Sequence, residues 1–178
     1  LGMALIIYIV CIWTALELGA PNAPGERAPP SLRRWVNVGL TLTIITLLSG
    51  GFVAGLDAGK IYNTFPLMGE QVVPPGYLLP DIGWRNAFEN PAAAQFHHRV
   101  LALSTAALLL VLAAMGRRVP ASATLRQATS AAGIVVLLPL ALGITTLVLS
   151  VPITLGVLHQ VTGLGVLTAM LVATYRAR

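Results

Sequence analysis

Charge is scarce in this chain. Of 178 residues only 10% are Asp, Glu, Lys or Arg, where a soluble domain carries about a quarter. Acids are scarcest, six against eleven Lys and Arg, and none lies in the middle of an apolar run. That excludes a carboxylate pair for acid–base work inside a span, and a carboxylate relay for proton pumping. The single cysteine, Cys11, excludes an internal disulfide, a CxxC pair and a covalent CxxCH motif. It reads as a small buried packing residue. There is no initiator Met and no charged n-region, so a chain that begins inside an apolar run reads as a piece of a longer protein, not a signal peptide. Phosphate loops, HExxH and a Ser–His–Asp set are absent too. Three histidines are too few for a metal held by protein ligands alone.

What fills the chain instead is apolar length. Hydrophobic residues make up 56% of it and the mean hydropathy is +0.82. The apolar runs are continuous rather than alternating, which points to membrane-spanning helices. Five runs of suitable length occur, at residues 1–18, 35–55, 91–115, 128–150 and 152–175. Pro139 is expected to kink the fourth, and the fourth and fifth should form a tight hairpin. The intervening segments alternate in charge. Residues 19–34 carry Arg27, Arg33 and Arg34 against Glu26, and residues 116–126 carry Arg117, Arg118 and Arg126. The tail carries Arg176 and Arg178, whereas residues 56–90 carry four acids against Lys60 and Arg85. The positive-inside rule places the basic segments and the C-terminus on the cytoplasmic side and the long loop on the outer side. Topology thus accounts for the isoelectric point near 10.2, and nucleic acid is not needed as a partner.

Within this topology, Pro91 is followed seven residues later by His98, and Pro152 seven residues later by His159. Both prolines open spans entered from the outer side, so both imidazoles lie roughly 10 Å in, at about 1.5 Å rise per residue. Two neutral imidazoles at equal depth are what a haem iron takes as axial ligands. His159 has Gly156 and Gly163 on its own helix face, which keeps that surface low enough for a flat macrocycle. Close helix packing in membranes also favours glycine. His98 is flanked by Ala94 and Ala102, whereas His97 meets Leu101, so His98 is the better second ligand. Arg99 either snorkels outward or pairs with an anion such as a haem propionate. Gln95 and Arg85 are weaker candidates for the same edge. The glycine-rich stretch at residues 50–68 reads as a helix stop with an aromatic anchor, or as an ordered cap over the outer pocket. Trp84 and Phe88 can dip back to the interface.

Four blocks now stand in order: GLDAGKIYNTFPLM at 55–68, NAFEN at 86–90, QFHHR at 95–99 and LGVLHQVTG at 155–163. They resemble the C-terminal half of the haem A synthase family and cover most of residues 50–165. The resemblance implies an all-α polytopic membrane protein of eight helices, built as two similar four-helix bundles, each with a histidine pair. It implies oxidation of the haem O methyl group to the formyl group of haem A, for cytochrome c oxidase assembly. The N-terminal bundle would hold the substrate haem O and the C-terminal bundle a haem b. His98 and His159 match the two ligands of that second bundle, with Arg99, Gly156 and Gly163 around the cofactor. Residues 1–18 would then be the last helix of the other bundle, 19–34 a cytoplasmic-side linker, and 35–178 the C-terminal bundle with outer loop 56–90.

The implied setting is a bacterial plasma membrane or mitochondrial inner membrane. The implied partners are lipid, haem O synthase or oxidase assembly factors, and further copies of the chain. Two departures matter. The residue before the ligand position is itself a histidine, His97. The glutamate the family places near its substrate haem has no counterpart here, Gln95 standing in the comparable position. This half is therefore expected to pass electrons and not to catalyse. The residues alone also admit a bis-histidine b-type cytochrome without chemistry of its own, and a cofactor-free scaffold in which the histidines bridge helices.

Overall fold

The computed structural model describes residues 1–19 and 28–178. Among these the chain is helical, with no named strand, and five helical stretches are long and apolar enough to cross a membrane. It is an all-α, polytopic integral membrane protein. The helices are α1 (Gly2–Gly19), α2 (Pro30–Gly55), the short α3 (Asn86–Glu89), α4 (Pro91–Arg118), α5 (Ala123–Val135), α6 (Leu137–Val148) and α7 (Ile153–Arg176). Two 3₁₀ turns, Ala58–Lys60 and Pro80–Arg85, lie in the long loop.

Three boundaries differ from the sequence reading. Helix α2 starts at Pro30, because proline at the first helical turn loses no hydrogen bond. Arg33 and Arg34 therefore ride on the helix, and residues 20–27 of the expected linker lie outside the described residues. Helix α4 runs on to Arg118, where Arg117 and Arg118 suit the negative end of the helix. The fourth span starts at Ala123, five residues before the expected 128, and is two helices, broken at Val136. Pro139 has no N–H to offer the carbonyl four residues earlier, so the turn ahead of it opens. Cys11 is exposed rather than buried, since α1 packs chiefly on α7 and leaves most of its circumference free. Tyr8 Oη to Thr168 Oγ1 at 2.6 Å, and Arg178 over the Trp13 ring at 4.1 Å, tie α1 down.

The bundle proper is α2, α4, α5–α6 and α7, and it is unevenly packed. Leu32 and Val36 of α2, Leu109 and Leu112 of α4, Leu125 and Ala132 of α5, and Met170 of α7 form one dense core. All come from the half of the bundle where the basic ends lie. In the half nearer the long loop, no residue of α7 before Val166 is buried, although α7 packs there against α2 and α6. In α2 the last buried residue is Thr43. One end is thus filled as a protein interior is, while at the other the buried helix residues are chiefly those at the start of α4, Ala92 to Gln95.

The loop end is ordered by polar ties. Asn90 caps α4, its Oδ1 accepting from the N–H groups of Ala92 and Ala93. Its Nδ2 donates to the Gly76 and Tyr77 carbonyls and to Asn86 Oδ1. Asn86 in turn donates to the Leu79 and Gly83 carbonyls and accepts from the Leu79 N–H. The NAFEN block is therefore a hinge of two buried asparagines one helical turn apart, which folds residues 76–86 onto the start of α4.

Candidate functional site

His98 of α4 and His159 of α7 meet in the half nearer the long loop, with ring centroids 6.3 Å apart and ring planes at 86°. Both helices begin at the loop end. Asn63 of the loop donates to the Leu147 carbonyl at the α6–α7 turn, which fixes that end in space. The equal offsets from Pro91 and Pro152 therefore bring the two imidazoles to one level.

Each ring is held by a neighbouring helix through Nδ1. His159 Nδ1 lies 2.8 Å from the Pro139 carbonyl of α6. A carbonyl only accepts, so Nδ1 carries the proton and Nε2 keeps its lone pair. His98 Nδ1 lies 2.9 Å from Ser49 Oγ of α2. Ser49 has one hydroxyl hydrogen, and it is donated to the Thr46 carbonyl at 2.7 Å. Ser49 Oγ therefore accepts from His98, and this ring too presents a free Nε2. With the Ser49 hydrogen on the Thr46 carbonyl both rings share one tautomer, whereas a Ser49 hydroxyl turned toward His98 would put that ring's proton on Nε2.

Glycines give the rings their room, and they lie on those same neighbouring helices. A Cβ on Gly143 of α6 would stand 2.8 Å from His159 Cε1, and one on Gly50 of α2 would stand 3.1 Å from His98 Cε1. The two glycines chosen from the sequence behave differently from each other. Gly163 faces Leu47 of α2, where a Cβ would meet Cδ2 at 3.1 Å, so it serves helix packing. A Cβ on Gly156 would meet nothing within 4 Å, so it borders open space. Gly50, Gly143, Ser49 and the Pro139 carbonyl were not legible as site elements. The spacing of proline and glycine at 139 and 143 was the available signal, on a helix read only for its kink.

His97 turns elsewhere. Its Nε2 is 2.9 Å from Tyr77 Oη, and its ring meets Tyr77 edge to face and Phe96 at a tilt. Arg99 has an employment that neither sequence alternative included. Its Nη1 donates to the Thr64 and Leu67 carbonyls and its Nη2 to the Tyr62 carbonyl. Gln95 Nε2 donates to that same Tyr62 carbonyl at 3.1 Å. The strap at residues 62–67 is thereby pinned to α4 by Gln95 and Arg99, and to the α6–α7 turn by Asn63. Arg85 pairs with Glu89, away from this edge. Among the described residues, Gln95 Oε1, Arg99 Nε and Thr146 Oγ1 are buried without a hydrogen-bond partner.

Among the described residues no three His, Cys, Asp or Glu side chains cluster as metal ligands would. The donor set is two imidazoles paired edge to face. Such a pair suits the two axial positions of a metal whose other ligands come from a planar macrocycle. The 6.3 Å between ring centroids would let both imidazoles hold one such group. The engaged Nδ1 protons are the outer-shell bonds that such ligands carry.

The sequence has relatives that match it along almost its whole length. A family model described as cytochrome oxidase assembly protein, COX15-CtaA, matches residues 1–171. The human protein named Heme A synthase COX15 is 38% identical over 173 residues, which is 96% of this chain and 42% of the human protein. A protein named Heme A synthase from Nitrosospira multiformis is 39% identical over 181 residues, covering 100% of this chain and 51% of the relative. The namesake from Granulibacter bethesdensis is 40% identical over 178 residues, covering 100% and 46%. No solved structure matches. The chain spans about half the length of the curated relatives it matches. The match along residues 1–171 and the identities of 38–40% to these relatives show that the chain belongs to the COX15-CtaA family of cytochrome oxidase assembly proteins.

Proposed function

We propose that this chain is the haem b-binding, electron-transferring half of a haem A synthase, with His98 and His159 as the axial ligands. The observation that carries this reading is the pairing of the two rings at 6.3 Å with both Nδ1 protons already committed. Bound haem b supplies a one-electron couple. The chain's own contribution is to hold both imidazoles neutral and oriented, and to cover the outer face with the strap at 62–67. With both imidazoles engaged as ligands, no position is left here for oxygen. Oxidation of the haem O methyl group to the formyl group of haem A then belongs to the partner bundle of the same enzyme. Gly156 fits this reading as a low point on α7 beside the macrocycle. Arg99 fits it as the residue that ties the cap down.

The membrane would be a bacterial plasma membrane or a mitochondrial inner membrane. Arg117, Arg118, Arg176 and Arg178 would face the cytoplasm or matrix. Haem O synthase and oxidase assembly factors are the partners this role calls for.

The test is haem content and low-spin absorption of the full-length protein carrying His97→Ala, His98→Ala or His159→Ala. The reading expects the b haem to be lost from the second and third variants and kept in the first. A normal low-spin spectrum in His159→Ala would contradict it.

A further inference from the structure

The two imidazoles are held by acceptors of different kinds. His159 leans on a backbone carbonyl, which side-chain substitution does not delete. His98 Nδ1 lies 2.9 Å from a hydroxyl, Ser49 Oγ, which has its own hydrogen bond to keep, and the Thr46 carbonyl also stands within reach of this ring. The Ser49 hydrogen goes to the Thr46 carbonyl within α2, and this turns an oxygen lone pair toward α4. A second tie holds α2 in that register. Thr46 Oγ1 donates to the Leu42 carbonyl at 2.8 Å and lies 2.7 Å from Thr105 Oγ1 of α4. Thr46 has spent its hydrogen, so Thr105 donates to it. The two contacts between α2 and α4, Ser49 with His98 and Thr46 with Thr105, are seven residues apart on α4, two turns of one face. Beside them Gly50 brings the α2 backbone close enough for Ser49 to reach the ring.

We propose that Ser49 is a positioning residue for His98: it fixes the Nδ1-protonated tautomer, sets the ring plane and raises the donor strength of Nε2 toward haem iron. This rests on the bis-histidine reading above and goes beyond it, because it assigns the electronic tuning of the centre to one side chain of a different helix. A hydrogen-bond acceptor on the far nitrogen makes an imidazole the more basic ligand, and a more basic ligand favours the ferric state. Its loss therefore moves the midpoint potential upward. It also leaves the Thr46 carbonyl as the remaining acceptor near that N–H.

The experiment uses full-length protein carrying Ser49→Ala, Ser49→Thr or His98→Ala, and reads haem content and the midpoint potential of the low-spin b component. Ser49→Ala is expected to weaken haem retention by roughly 10–100-fold, the usual cost of deleting such an outer-shell partner, and to shift the potential positive. Ser49→Thr keeps the hydroxyl and is expected to restore both. A wild-type potential and haem content in Ser49→Ala, with haem absent from His98→Ala, would overturn the role of Ser49 and leave the ligand pair standing. Haem retained in His98→Ala would overturn the ligand pair and Ser49 with it. If Ser49→Ala does not accumulate, Ser49→Cys carries the same test. Its weaker acceptor is expected to give a smaller positive shift, and no shift would overturn the proposal.

Discussion

Gly143 and His159 are in contact across α6 and α7, so close that a Cβ on Gly143 would stand 2.8 Å from His159 Cε1. Something must move if a methyl group is added. The ring is the mobile partner, and moving it breaks the 2.8 Å bond to the Pro139 carbonyl. Gly143→Ala is therefore expected to lose more haem than Gly50→Ala, where the corresponding contact is 3.1 Å. Haem per protein, measured as the pyridine haemochrome, checks the order. Equal retention in both would remove the close approach from the account.

Gly156 and Gly163 separate packing from cofactor contact. Gly163→Ala presses on Leu47 and should lower thermal stability whether or not haem is present, by about 1–3 kcal/mol if Leu47 cannot yield. Gly156→Ala meets open space, so it should leave the stability of haem-depleted protein unchanged while lowering haem content. Thermal unfolding with and without haem distinguishes the two.

Arg99 makes three bonds to carbonyls of the strap at 62–67. Hydrogen bonds to a charged donor contribute roughly 1.5–3 kcal/mol each when partly buried, and part of that is replaced by water at this edge. Arg99→Gln should make the strap open more readily, by about 2 kcal/mol in local opening free energy. Hydrogen exchange over residues 62–68 reads this directly. Unchanged protection there would show that Gln95 and Asn63 suffice.

Asn90 acts through both atoms of its amide. Asn90→Asp keeps the cap but loses the donations to Gly76, Tyr77 and Asn86, whereas Asn90→Ala loses all of them. The cap alone is worth about 1 kcal/mol. Both variants should unfold at lower temperature than wild type, and both should free residues 76–86 for proteolysis. A protected loop in Asn90→Ala would contradict the hinge.

Trp84 is 80% exposed, and Phe88 links it to Phe52 near the end of α2 through ring contacts at 6.5 and 5.4 Å. That ladder continues the exposed apolar surface of α2 into the loop, and Trp84 is expected at the membrane interface. In a variant keeping Trp84 as its one tryptophan, brominated lipid should quench the fluorescence, most strongly when the bromine lies near the headgroups. Quenching by aqueous iodide alone would place this loop in water.

Much of the scaffold was legible from run length and charge alternation, because spans are dictated by the bilayer rather than by partners. The histidine pair was legible because both rings sit at a fixed offset from a helix-opening proline. What sequence could not supply was anything contributed by a different helix. Ser49 is forty-nine residues from His98 and Pro139 twenty from His159, and no periodicity links such positions. Arg99 was weighed against water and anions, the partners a charge scale offers, and not against loop carbonyls that exist only once the strap is folded. Asn90 before Pro91 is an N-cap followed by proline at the first turn, a local signal that the sequence reading did not use.

The central claim is that His98 and His159 bind one iron together, and the spectrum of the oxidised centre tests it most directly. Each ring has a hydrogen-bond partner at Nδ1, and the two planes stand at 86° to each other. Perpendicular axial imidazoles give a strongly anisotropic low-spin ferric signal in electron paramagnetic resonance, whereas parallel ones give an ordinary rhombic one. Full-length protein is expected to show such an anisotropic component, absent from both His98→Ala and His159→Ala and retained in His97→Ala. A low-spin signal that survives either of the first two substitutions would contradict the account.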